Sequence, residues 1–230
     1  MRTLAQVEPR TPISELPFTI SAPGSYYLTA NLAVGAASDG IVVQTSNVTL
    51  DLGGFTLSGP GDDSGRGIYQ SADCNSLRVL NGTVTGFWGS GAGGVYLEGA
   101  NNQVDSIRVI DNFYGIYCEN MTRITGCTAY ANYGDGITLR RDTMSGCAAT
   151  GNQGHGINGE SIAASDCTSS ENTALAFPYS PPSFPALLPK CFLKMMNRTA
   201  SSAIPASGLI KGEALKVLTV SPRRSRSEGL

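Results

Sequence analysis

Lysine is missing from the first 177 of this chain's 230 residues, and the whole sequence holds one histidine, His155, and one tryptophan, Trp88. No Cys-x-x-Cys pair exists, so with a single histidine a zinc centre is not expected, and nothing indicates another metal or a cofactor. No run of about 18 apolar residues is present, which excludes a membrane-spanning helix. Helix-forming runs rich in Ala, Leu, Glu and Lys are missing from the middle of the chain, whereas glycine is abundant, with 28 residues.

What the chain does have is a repeat. A glycine followed by an apolar residue recurs at Gly40-Ile41, Gly67-Ile68, Gly94-Val95, Gly115-Ile116, Gly136-Ile137 and Gly156-Ile157, in steps of 27, 27, 21, 21 and 20. A second column reads Leu50, Leu77, Ile107, Cys127, Cys147, Cys167, and a third Asn112, Asn132, Asn152, Asn172 in steps of 20. Periods of this size mark a solenoid. At about 3.3 Å per residue, 20 to 27 residues hold three short strands and three turns, which is one coil of a parallel β-helix. Alternation within the coils, as in Val48-Thr-Leu50-Asp-Leu52 and Ile107-Arg-Val109, gives each strand one buried face. Stacked coils then place like on like, and buried asparagines satisfy one another and the turn backbone. The glycine before each isoleucine fits a turn of positive φ. By the same register Cys74 aligns with Val104, and the cysteines read as small buried hydrophobes.

A more specific likeness lies in Pro17-Phe-Thr-Ile-Ser-Ala-Pro-Gly-Ser-Tyr-Tyr-Leu28, Asn47-Val-Thr-Leu-Asp-Leu-Gly-Gly-Phe-Thr-Leu57 and Leu80-Asn-Gly-Thr-Val84. These resemble the opening of bacterial right-handed parallel β-helix repeat proteins, over about residues 8 to 177. The resemblance implies an all-β, right-handed solenoid of the pectate-lyase-like kind, exported to the cell surface or medium, with carbohydrate-related relatives. Residues 1–11 precede it, 12–40 are expected as an N-terminal cap, and 41–177 as a β-helix of about six to seven coils. Exported members carry a signal peptide, and Met1 to Arg10 has no apolar core, so Met1 is expected to be an internal methionine.

After residue 177 the character changes. Residues 1–177 carry eight arginines against sixteen acids, a net of −8, whereas residues 178–230 carry four lysines and four arginines against two glutamates, a net of +6. Three readings fit this tail: a native cap, a basic extension, or the product of a frameshift. No aromatic interleaving supports nucleic-acid stacking there.

Two constellations carry chemistry. Asp135 lies 20 residues before His155, which places a carboxylate beside the imidazole of Gly154-His-Gly156, and polygalacturonases of the same fold use a Gly-His-Gly element. The paired aspartates and Arg-Ile-Lys motif of those enzymes are missing, and Asp62-Asp63 falls two coils too early. The residue after each Gly-apolar pair faces outward and reads Val42, Tyr69, Tyr96, Tyr117, Thr138, Asn158. Three stacked tyrosines make an aromatic strip for sugar rings, with Phe87-Trp88 as a wall. The expectation is a non-catalytic exported β-helix that presents a sheet face to polysaccharide; the alternative is a pectin-degrading lyase or hydrolase, or a remnant of one.

Overall fold

The computed structural model describes residues 9–173 apart from 36, 62, 63 and 90. The tail 178–230, Asp62-Asp63 and residues 1–8 lie outside the described residues. Among the described residues there are twenty strands and no helix, so none can cross a membrane. Every strand pairing is parallel.

One sheet has seven strands, one per coil: Phe18–Ile20, Ile41–Val43, Ile68–Gln70, Gly93–Leu97, Tyr114–Glu119, Ile137–Arg140 and Ile157–Glu160. Its register joins Ile41, Ile68, Val95, Ile116, Ile137 and Ile157 in one inward column, each no more than 1% exposed. The other two faces of the coil form one thirteen-stranded sheet, because Leu77–Phe87 and Gln103–Ile110 run unbroken round the corner between them. The segment 12–40, expected as a cap, is built in the same register as its neighbour: Phe18 pairs with Ile41, Tyr26 with Leu50 and Leu32 with Leu57. It forms the first coil.

The corners explain the periodicity. Each of the three carries a residue of positive φ, stacked coil upon coil: Asn81, Ser106, Gly126, Gly146 and Asp166; Gly86, Asp111, Ala131, Gly151 and Glu171; Asn47, Ser76, Asn101, Met121 with Asn120 before it, Arg141 and Ser161. A left-handed residue redirects the chain and points the next side chain inward, and glycine, asparagine and aspartate tolerate it best. The glycines before the isoleucines do not have positive φ, contrary to expectation. They are required by crowding instead: a Cβ on Gly136 would sit 2.6 Å from the Gly156 carbonyl oxygen and 2.7 Å from Asn152 Nδ2.

The cysteine column needs correction at its start. Leu77 pairs with Val48 and Leu50 with Val79, whereas Ile107 pairs with Gly82 and stands in line with Cys127, Cys147 and Cys167. Val104 lies on Val79 rather than on Cys74. Loops within the 27-residue steps shift the early coils, so equal spacing misassigned them. The asparagine ladder holds throughout. Asn152 Nδ2 donates to Asn172 Oδ1 at 2.9 Å and Asn132 Nδ2 to Asn152 Oδ1 at 2.8 Å, while the same oxygens accept the backbone N–H of Asn152 at 2.9 Å and of Asn132 at 3.0 Å. No buried side-chain nitrogen or oxygen among the described residues lacks a partner.

Candidate functional site

The seven-stranded sheet carries its outward side chains in two adjacent columns. Register places Tyr69, Tyr96, Tyr117, Thr138 and Asn158 in one. The second holds Glu119, Arg140 and Glu160, with Glu98 beside Glu119 because Leu97 pairs with Cys118. The period-two rule predicts both, yet only the tyrosine column is conspicuous in the sequence.

The rings of Tyr96 and Tyr117 stack with centroids 4.4 Å apart and planes at 12°, and Tyr69 meets Tyr96 at 6.3 Å and 52°. The facing sides of Tyr96 and Tyr117 are therefore taken up by one another. Tyr69 donates its hydroxyl hydrogen to Glu98 at 2.9 Å and Tyr117 to Glu119 at 2.5 Å. Burial, then these carboxylates, push the Tyr69 and Tyr117 phenols above their ordinary value; burial and the Glu98 charge do the same for Tyr96. All three stay protonated at any physiological pH.

Arg66, which spacing did not single out, closes one end of this column. Its guanidinium lies 4.2 Å from the Tyr69 centroid and 4.5 Å from that of Tyr96, and its backbone N–H donates to Asp39 at 2.6 Å. A shallow cavity of about 240 Å³ opens against it, lined by Asp39, Ser64, Gly65, Gly91 and Ala92. These residues belong to the loops that lengthen the early repeats from about 20 to 27 residues. In repeat proteins such insertions map to one face, often the binding face.

Trp88 and Phe87 part company with the expectation. Phe87 is fully buried in the core, so it is no wall, and the Trp88 ring meets Tyr133 at 6.3 Å. Phe113 lies 5.4 Å from Tyr133 and, edge-on, 4.9 Å from Tyr114. A second aromatic group, Trp88, Phe113 and Tyr133, thus runs along the neighbouring corner. Tyr114 joins it towards the tyrosine column, where it contributes to the electrostatics of Tyr96. Tyr133 is half exposed.

Asp135 and His155 are adjacent, as the register requires, and the contacts define what Asp135 does. Its carboxylate accepts the His155 backbone N–H at 2.7 Å, Asn158 Nδ2 at 2.7 Å and the Thr138 hydroxyl at 3.4 Å. Asp39 serves Arg66 in the same way four coils away, so an aspartate before Gly-Ile fastens the turn above it. Among the described residues no group of three or more His, Cys, Asp or Glu side chains is placed to hold a metal ion.

In the sequence Arg140-Arg141-Asp142 reads as a solvated polar turn, and at Asp142 the structure differs. Asp142 is 2% exposed, and its two oxygens accept the backbone N–H groups of Thr122 at 2.6 Å and Arg140 at 2.9 Å. Burial raises its pKa despite those bonds.

Twenty parallel strands wound in register around one core define a parallel β-solenoid. The family described as right handed beta helix region matches residues 24–174, about two thirds of the chain, and the protein belongs to that family. No curated protein matches it.

Proposed function

We propose that this chain is a non-catalytic, exported β-helix protein, displayed outside the cell or on its surface, that binds polysaccharide through the tyrosine face. The observation that carries the reading is the in-register column of Tyr69, Tyr96 and Tyr117, fixed by Arg66 at one end and hydrogen-bonded to Glu98 and Glu119. A column of aromatic rings, hydroxyls and carboxylates suits a polymer of repeated apolar faces and hydroxyl groups. The rings are already held in place, so little side-chain entropy is lost on binding.

The non-catalytic part of the reading is supported at Asp135. Asp135 accepts the His155 backbone N–H, Asn158 Nδ2 and the Thr138 hydroxyl, which gives it a turn-fastening role in place of an acid–base one.

Affinity electrophoresis through gels cast with a panel of polysaccharides tests the reading. Wild-type protein is retarded by at least one polymer, and Tyr96→Ala/Tyr117→Ala, shown folded by circular dichroism, is not. Equal retardation of the double variant, or none for wild type in any gel, overturns it.

A further inference from the structure

We infer that the tyrosine face selects uncharged polysaccharide over polyuronate and other acidic polymers, with Glu98 and Glu119 as its specificity-determining residues. The inference rests on the binding reading above and adds the class of ligand.

The argument is one of charge. Around the tyrosine column stand five carboxylates, Asp39, Glu98, Glu119, Asp135 and Glu160, against two guanidinium groups. Arg140 is held between Glu119 at 4.0 Å and Glu160 at 3.8 Å, so its charge is spent within the column. Arg66 sits against two tyrosine rings, and both Asp39 and Glu98 act on the same Tyr69 that it covers. A carboxylated polymer laid along this strip meets a net negative surface, and like charges across an interface suppress the wrong partner.

The same carboxylates favour sugar hydroxyls. Glu98 and Glu119 each accept one phenol hydrogen, and a carboxylate has about four acceptor sites, so each keeps lone pairs for further hydroxyl donors. Hydrogen bonds to an ionised acceptor are about twice as strong as neutral ones. A neutral glycan supplies donors without supplying charge.

The test compares retention that depends on the tyrosines, defined as that lost in Tyr96→Ala/Tyr117→Ala, because the basic residues of 178–230 can attract acidic polymers on their own. Gels contain xyloglucan, glucomannan or mixed-linkage β-glucan as neutral polymers, and polygalacturonate, alginate or hyaluronan as acidic ones, at low ionic strength. Tyrosine-dependent retention confined to neutral polymers is expected. Glu98→Gln/Glu119→Gln should raise retention by acidic polymers relative to neutral ones by about tenfold. Tyrosine-dependent retention by acidic polymers as strong as by neutral ones overturns the inference, and an unchanged ratio in the glutamine variant removes Glu98 and Glu119 from the role. Tyrosine-dependent retention by no polymer sinks the binding reading itself, and this inference with it.

Discussion

Ala131 sits at φ 55°, in a corner column where the next coil uses Gly151 and the previous one Asp111. A Cβ in this region costs roughly 1–2 kcal/mol, partly offset by the extra freedom glycine has when unfolded. Ala131→Gly is therefore expected to stabilise the protein by up to about 1 kcal/mol, read from the midpoint of denaturant unfolding. Asn132 works the other way. Its Oδ1 accepts both the backbone N–H and the Nδ2 of Asn112; Asn112 Nδ2 also reaches the Val84 and Ile110 carbonyls, so Asn132→Ala strands the buried backbone N–H and should cost about 1 to 3 kcal/mol. Asp142 introduces pH. Its native pKa is raised above the ordinary 3.8, so the folded state holds the proton more tightly than the unfolded one. Its contribution to stability is fully present below the ordinary value and lost as pH rises through the native value. Cys118 and Glu119 share its surroundings, and Glu119 adds to the upward shift. Thermal melts should show stability rising as pH falls from neutral towards the ordinary value, and Asp142→Asn should flatten that rise; an identical slope in the variant contradicts the assignment.

At the level of the coil, the cysteine ladder makes a separate prediction. Cys74, Cys118, Cys127, Cys147 and Cys167 are all buried. The Cys147 thiol is pushed up to about 11, first by its hydrogen bond with Cys127 and then by burial, while Cys118 is raised by burial. In a Cys191→Ser background, Ellman's reagent at about pH 8 should find no reactive thiol until the protein is unfolded. Rapid labelling of the folded protein would contradict the packing. The same ladder shows how far the sequence could be read. Where coils keep one length, as from Ile107 to Cys167, spacing gives the register outright. Between Leu50 and Ile107 it fails, because 27-residue steps add loop residues whose position within the coil no spacing rule can locate. The turn before Asn102, Thr122 and Asp142 shortens from three residues to two to one, which is why the glycine column steps by 21 while Val104, Ile124 and Met144 step by 20. Positive-φ corners were equally hidden, since serine, methionine, arginine and glutamate occupy them alongside glycine.

For the whole molecule, register fixes which residues are neighbours and leaves open where long side chains lie. That is why the tyrosine column was legible as a column, while the stacking of Tyr96 on Tyr117, the Arg66 cover and the pairing of Trp88 with Tyr133 were not. The tyrosine face exists only because coils three, four and five superpose, and nothing local to any one coil would bring its rings together. The most direct measurement is therefore of register in solution, by long-range nuclear Overhauser contacts between backbone protons of an isotopically labelled sample. The account predicts contacts joining the neighbourhoods of Tyr96 with Tyr117, Tyr117 with Thr138 and Thr138 with Asn158, at separations of 21, 21 and 20 residues. Contacts at other separations, or none between these strands, would contradict it.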